Sequence, residues 1–290
     1  MNTPEISIVV PAFNRSATLA RCLASIERQS FAEWEAILVD DGSTDATADI
    51  AAAFAARDRR FRLVRHERRR GAQAARNTGI RAGLAPWIAF LDSDDVYLPE
   101  SLELRLKRSQ RDSAPVVHSE CLVLRAGGEI NRYRVPPFAG SVFRDLLIRE
   151  GPMFQALLVR RSSLQQIGPL DEGLVSHQEW DTMIRLARRH RFAFEPEPTF
   201  IYDCRHSDSI SKNHLAGGRG YEAVIRKHRF AILRSAGGRA LARHYQVAAR
   251  WYREAQSLQE AERCELLASM WSSLDLRARL SEVLHRFVPA

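Results

Sequence analysis

Three carboxylates, Asp92, Asp94 and Asp95, crowd into four residues where the apolar run 87–91 ends. Carboxylates this close repel one another, and withdrawing them from water in a cleft adds a desolvation cost, so such an array calls for a cation. Mg²⁺ and Mn²⁺ prefer oxygen ligands and commonly take only one or two carboxylates, leaving water and a substrate phosphate to complete the octahedron. The D-x-D of Asp92 and Asp94 therefore suggests a metal-bridged diphosphate, whereas Asp95 reads as a surface residue of the loop that leads to Pro99. A second acidic loop lies in VDDGSTDAT, 39–47. Gly42 permits a backbone turn that lets Asp40 and Asp41 face a crevice, where a carboxylate accepts hydrogen bonds from a base N–H or ribose hydroxyls. Asp41 suits ligand contact, and Ser43, Thr44 and Asp45 suit turn and cap chemistry. VVPAFNRS, 9–16, likewise sets polar residues just after an apolar run. Phe13 is a candidate to stack on a base, while Trp34, Trp87 and Trp180 read as core.

Loops of this kind need strands behind them. Short β-rich runs at 6–10, 34–39, 61–66 and 87–91 alternate with helix-like stretches of a dozen or so residues, which predicts βαβ units, a parallel sheet and helices on both faces. Ser43 or Asp45 can cap a helix over 46–56, and Pro99 with Glu100 suits the first turn of a helix running to Gln110. In open α/β sheets ligands bind beyond the carboxyl ends of the strands, where PAFN, DDGSTD and DSDD all fall. After Ser113 the pattern loosens. VVHSECLVL and EINRYRV suggest paired strands turning at Gly127-Gly128, followed by a helix near 141–149, a strand over 153–160, a helix in HQEWDTMIRLARRH, and strands at FAF and TFIYDC. Gly217-Gly218 and Gly237-Gly238 read as breaks opening a helical tail.

Composition narrows the class. The chain has 290 residues, 45% of them hydrophobic, enough for a sizeable core. No apolar stretch approaches the ~20 residues of a membrane span, and the N-terminus lacks a secretory pattern, so a cytoplasmic protein is expected. Cys22, Cys121, Cys204 and Cys264 are too scattered for a zinc site or a disulfide framework. The net charge of +8 is concentrated after 214, where 13 Lys/Arg meet 7 Asp/Glu. Such a tail serves either as a solvated helical face or as a contact for phosphate, of nucleic acid or of an anionic membrane. The arginines of RHERRR, 65–70, read mostly as solvated, with one or two within reach of phosphate.

Taken together, SIVVPAFNR, VDDGSTD, GAQAARNTGI, FLDSDD and QEWDTMIRLA are similar in order and spacing to the family 2 glycosyltransferases, inverting enzymes of the GT-A fold. The resemblance covers roughly 5–212. It implies a Rossmann-like, mostly parallel sheet flanked by helices over 1–214, followed by a basic helical extension over 215–290. It also implies roles: Pro11, Ala12, Phe13 and Asn14 lining a nucleotide pocket, Asp41 reading the base, Arg76 contacting the nucleotide with Asn77 close by, and Asp94 ligating Mn²⁺ or Mg²⁺ with Asp92 serving metal or donor sugar. Gln178-Glu179-Trp180-Asp181 falls where the family carries its catalytic base. Glu179 takes that position, a longer carboxylate than the usual Asp, with Asp181 as support or substitute. YDCRHSDSISK, 202–212, falls where relatives close a loop over the diphosphate, making Arg205 a phosphate contact, His206 a metal or phosphate ligand and Lys212 a residue within reach.

Single-displacement transfer needs a general base for the acceptor hydroxyl and charge neutralisation on the leaving diphosphate. The expected partners are a nucleotide-sugar donor, above all a UDP-sugar, and a glycan or lipid-linked acceptor, with peripheral membrane contact at the inner face. A noncatalytic nucleotide-sugar or saccharide-binding module is the alternative, motivated by Glu179. Nucleic acid is not expected, because the aspartate cluster repels it.

Overall fold

The computed structural model describes residues 3–205 and 213–273. Strands β1 (Ile6–Ala12), β2 (Trp34–Asp40), β3 (Phe61–Arg65) and β4 (Trp87–Phe90) alternate with helices α1 (Leu19–Glu27), α2 (Thr47–Arg57) and α3 (Ala72–Ala82). They pair in parallel in the order β3-β2-β1-β4. Every residue of β1, β2 and β4 is buried, which is why these strands are written as continuous apolar runs rather than as alternating ones.

Beyond β4 the sheet is mixed. After β5 (Val96–Tyr97) and α4 (Ser101–Asp112) come β6 (Val116–Leu124), β7 (Ile130–Tyr133), β8 (Leu158–Arg160) and β9 (Phe192–Asp203). β8 runs antiparallel between β4 and β6, β9 lies parallel to β6 and antiparallel to β5, and β7 forms a hairpin with β6. The order across the sheet is β3-β2-β1-β4-β8-β6-β9-β5. The continuous strand that the pattern suggests over 153–160 is instead a 3₁₀ turn, Phe154–Ala156, followed by β8. The cause is Arg105, fully buried on α4, whose Nη1 donates to the carbonyls of Gln155 at 3.0 Å and Leu157 at 2.8 Å. A buried guanidinium needs such acceptors, and the backbone bends to supply them. Helix α6 (Arg161–Ile167) follows.

The chain divides into two compact units. The first comprises 3–142, 151–172 and 185–205 among the described residues and holds the whole sheet. The second comprises 143–150, 173–184 and 213–273. Where composition suggests a cut at 214/215, this unit also takes in two earlier segments, carrying α5 (Phe143–Leu146) and most of α7 (Gln178–Ala187). With them are α8 (His214–Ala236), α9 (Gly238–Glu254) and α10 (Leu258–Ser273). Trp180 is fully buried here and its indole N–H donates to the Leu146 carbonyl at 2.7 Å. The Tyr221 hydroxyl donates to His244 Nδ1 at 2.9 Å, and His244 Nε2 donates to the Leu147 carbonyl, also at 2.9 Å. Gly217 and Gly218 do not break the chain as their pairing suggests, but lie inside α8. A Cβ on Gly217 would fall 2.6 Å from the Trp251 ring and one on Gly218 3.0 Å from that of Tyr252, so their purpose is close approach of α9. Gly237, at φ +84°, does end α8. No helix among the described residues is long and apolar enough to cross a membrane.

Candidate active site

In the first unit the loops after β1 and β2 are stapled together. The Asn14 N–H donates to Ser43 Oγ and the Thr44 N–H to Asn14 Oδ1, each at 3.0 Å. The Arg15 N–H donates to Thr47 Oγ1 at 2.7 Å and the Ser16 N–H to Asp45 Oδ2 at 3.1 Å. Asn14 takes the left-handed conformation, φ +51°, which asparagine tolerates better than most residues. Asp45 also accepts from the Thr47 N–H at the start of α2, and these hydrogen bonds outweigh its slight desolvation, bringing its pKa down to about 2. Pro11 and Ala12 are buried at the end of β1. Phe13 is half-buried, with the Arg69 guanidinium 4.3 Å from its ring centroid.

Asp41 is buried and its carboxylate is already occupied. Oδ1 accepts from His66 Nδ1 at 2.7 Å and from the Arg70 N–H at 2.9 Å, and Oδ2 accepts from the Gly71 N–H at 2.7 Å. His66 Nε2 in turn accepts from the Thr78 hydroxyl at 3.0 Å. Asp41 thus clasps the loop between β3 and α3, a role its sequence context gives no sign of. Gly42, at φ +75°, sits under that loop: a Cβ there would fall 2.7 Å from the Arg68 backbone.

The aspartates after β4 separate clearly. Asp92 accepts from Arg76 Nη2 at 2.7 Å and from Gln155 Nε2 at 2.8 Å. Arg76 is 6% exposed, donates also to Gln73 and lies over the Phe154 ring, so its charge is directed at Asp92 from inside the protein. Asp94 is partly exposed and forms an ion pair with Arg15 at 3.6 Å. Asp95 is not a surface residue. It is 1% exposed, accepting from Gln155 Nε2 at 2.6 Å and from the Asp203 N–H at 2.9 Å. Burial, reinforced by the charges of Asp92 and Asp94, pushes the Asp95 pKa well above the usual carboxylate range. Asp203 is held in the opposite sense. Arg205 grips it through both Nε (2.9 Å) and Nη2 (2.7 Å), and Arg21 Nη2 adds a contact at 2.6 Å, so its pKa falls far below the ordinary value. Arg205 therefore stands at the end of β9 with its fork turned to Asp203. His206 and Lys212 lie outside the described residues.

Asp92 and Asp94 fit a divalent ion. Among the described residues no point gathers three acidic, histidine or cysteine groups, but two carboxylates are the number Mg²⁺ or Mn²⁺ uses when phosphate and water supply the rest. The raised pKa of Asp95 comes first from burial, and the smaller part due to Asp92 and Asp94 is the negative charge a cation would neutralise.

Glu179 and Asp181 both stand on the first turn of α7, in the second unit. Glu179 is half-buried, while Asp181 is completely buried. His228 Nε2 donates to Asp181 Oδ1 at 2.7 Å, and Lys227 Nζ lies 2.9 Å from the same oxygen. Burial alone would raise the Asp181 pKa, but these two hydrogen bonds override it and bring it below the ordinary value. A carboxylate so committed is an anchor between α7 and α8 rather than a proton acceptor. His177, just before α7, adopts φ +52° and donates from Nδ1 to Glu150 at 2.6 Å. It fixes the backbone from which Glu179 projects. Local sequence gives no sign of the roles of Gln155, Arg15, His66 and Lys227 with His228; the last two sit in RKHR, which carries only a charge signal.

Residues 7–166 match the family model described as Glycosyl transferase family 2. The chain belongs to glycosyl transferase family 2. Over 222 residues it is 33% identical to the Succinoglycan biosynthesis protein ExoO of Rhizobium meliloti, an alignment covering 72% of this chain and 63% of that protein. It thus spans less than two thirds of that relative. A crystal structure of S. aureus TarS 1-349 in complex with UDP-GlcNAc superposes with a TM-score of 0.68 at 17% identity, covering 90% of each chain. The mannosyltransferase PcManGT of Pyrobaculum calidifontis, in complex with GDP-Man and Mn2+, gives 0.60 at 18% identity, covering 94% of this chain and 88% of that one. The half-parallel, half-mixed sheet of this family 2 chain is therefore the fold of these GT-A glycosyltransferases.

Proposed function

We propose that this family 2 chain is an inverting glycosyltransferase that moves a sugar from a nucleoside-diphosphate sugar, foremost a UDP-sugar, to a hydroxyl of a glycan or lipid-linked glycan. It acts from the cytoplasm at the inner membrane face. The observation that carries this reading is the placement of Asp92 and Asp94 at the end of β4, on the same sheet as the stapled β1 and β2 loops, in a chain of this family. The bound nucleotide sugars of the two solved relatives support the donor class, and the Mn2+ of one supports a divalent ion.

Asp94 and Asp92 would hold Mn²⁺ or Mg²⁺, which when bound neutralises the diphosphate as it departs. Arg76 and Gln155 fix the Asp92 carboxylate, and the Asp41 clasp sets the backbone of the arginine run 68–70. Phe13, beside Asn14, offers a half-exposed ring for a base, and Arg205 at the end of β9 serves the phosphates. Glu179 is the general base: the acceptor oxygen bonds to the anomeric carbon, the carbon–oxygen bond to the diphosphate breaks, and the hydroxyl proton passes to the Glu179 carboxylate. Asp181 holds α7 in place for it.

The test is turnover of UDP-, GDP- and dTDP-sugars, measured with and without Mn²⁺. Turnover of none of them, despite metal-dependent binding, would leave a nucleotide-sugar-binding module. Glu179→Gln is expected to abolish transfer while donor affinity stays within about twofold, because a carboxamide keeps the shape and cannot accept the proton. Full activity in that variant would remove the base role from Glu179.

A further inference from the structure

The second unit carries a charge pattern that sugar transfer does not use. From Ala223 to Arg253 there are eight Lys/Arg and no Asp or Glu. The acids bounding this stretch are taken: Glu222 pairs with Arg263 at 2.7 Å and Glu254 with His214 at 3.0 Å. On α8, Arg226, Phe230 and Arg234 follow one another at intervals of four, so they form a single ridge along the helix. All three are exposed, Phe230 by 72%, and Arg229 lies with its guanidinium 4.7 Å from the Phe230 ring centroid. Among the described residues Arg226, Arg229 and Arg234 form no ion pair with a carboxylate, whereas the buried side of the same helix is finished with Val224, Ile225, His228 and Ile232. The core therefore does not need this face.

We infer that the Arg226–Phe230–Arg234 ridge of α8 is a docking surface for an anionic lipid bilayer. Arginines with no ion pair of their own are drawn to a negatively charged headgroup layer, the nearby Glu222 being held by Arg263, and a lone aromatic ring among them is the kind of group that inserts at the acyl boundary. A second copy of this chain laid on the same ridge would bring like charges together, which opposes self-association. A single-stranded nucleic acid asks for several aromatic platforms interleaved with the basic residues, and this ridge has one. The inference does not rest on the identity of the donor, and it survives a failure of every nucleotide sugar to turn over.

The experiment is co-sedimentation of the full chain with vesicles of phosphatidylcholine alone or mixed with phosphatidylglycerol, over a range of KCl concentrations. The protein is expected to pellet with the anionic vesicles, to remain in solution with the neutral ones, and to be released by salt. Arg226→Gln with Arg234→Gln should lower partition about thirtyfold, at roughly fivefold per arginine. Phe230→Ala should lower it about fivefold through lost apolar burial. All three positions are exposed, so far-ultraviolet circular dichroism and melting should match the wild type. Equal pelleting with both vesicle types, or variants that partition like the wild type, would overturn the proposal. So would wild-type protein that ignores vesicles while self-associating through Phe230 in sedimentation velocity, or that ignores them while binding an oligonucleotide tightly.

Discussion

Asp95 and Asp181 are both carboxylates with almost no exposure, 1% and 0%, and the protein treats them in opposite ways. Around Asp181 the chain supplies Lys227 and His228, so the burial cost is offset and the acid stays ionised. Around Asp95 it supplies an amide from Gln155, one backbone N–H, and two more acids, so the proton is favoured. The difference teaches that a buried acid stays ionised through the counter-charge set against it and not through its depth. Asp181 brings its own counter-charge. Asp95 has none of its own, because Arg76 and Arg15 answer the neighbouring Asp92 and Asp94 instead, and its burial comes at a cost in stability.

The comparison breaks most severely at Asp181. Asp181→Ala leaves His228 and part of Lys227 without a partner inside the second unit, and a loss of about 3 kcal/mol in urea unfolding is expected. The equivalent removal in the other cluster, Asp94→Asn, should cost under about 1 kcal/mol of stability, because the repulsion it relieves offsets the loss of the partly exposed Arg15 pair, while lowering transfer by about a thousandfold if several kcal/mol of charge neutralisation is lost with the ion. An unchanged transfer rate would take the metal away from this loop.

Cation binding sharpens the contrast without any assay of activity. Saturating Mn²⁺ at about 100 times its dissociation constant should stabilise the wild type by about 2.7 kcal/mol, read as a rise in melting temperature, and do much less for Asp94→Asn. The smallest effect is on pH. The Asp181 pKa is lowered by folding, so its contribution is fully present above the unfolded value of about 4 and is lost as pH falls below it. The Asp95 pKa is raised by folding, so metal-free protein loses stability as pH climbs from about 4 toward the folded value, at no more than about 1.4 kcal/mol per pH unit. Urea midpoints between pH 5 and 8 should therefore be flatter for Asp95→Asn than for the wild type.

Much of this contrast is written in the sequence, but not all of it. The apolar runs at 6–10, 34–39 and 87–91 announce buried parallel strands because both faces of those strands are covered. The place of Asp92 and Asp94 just after β4 is legible because strand and loop adjoin in the chain. What is illegible depends on distant partners. Asp95 looks like loop surface until Gln155, sixty residues later, is placed against it. Asp181 looks like a second candidate base until α8 brings Lys227 and His228. Gly217 and Gly218 look like a break until Trp251 and Tyr252 arrive across the helix pair. In each case a side chain's role is set by a contact that no local pattern of residue types encodes.

The clasp that Asp41 makes on the loop after β3 has a consequence for how cheaply an anion is bound there. Its carboxylate holds the Arg70 and Gly71 amides and the His66 ring, while the side chains of Arg68 and Arg70 stay exposed around a cavity of about 500 Å³ that Arg65, His66 and Glu67 help to line. An anion arriving at this cavity meets a backbone that is already ordered. The entropy surrendered on capture is then that of arginine rotamers alone, about 0.5–1.5 kcal/mol for each side chain that closes, rather than that of organising a whole loop.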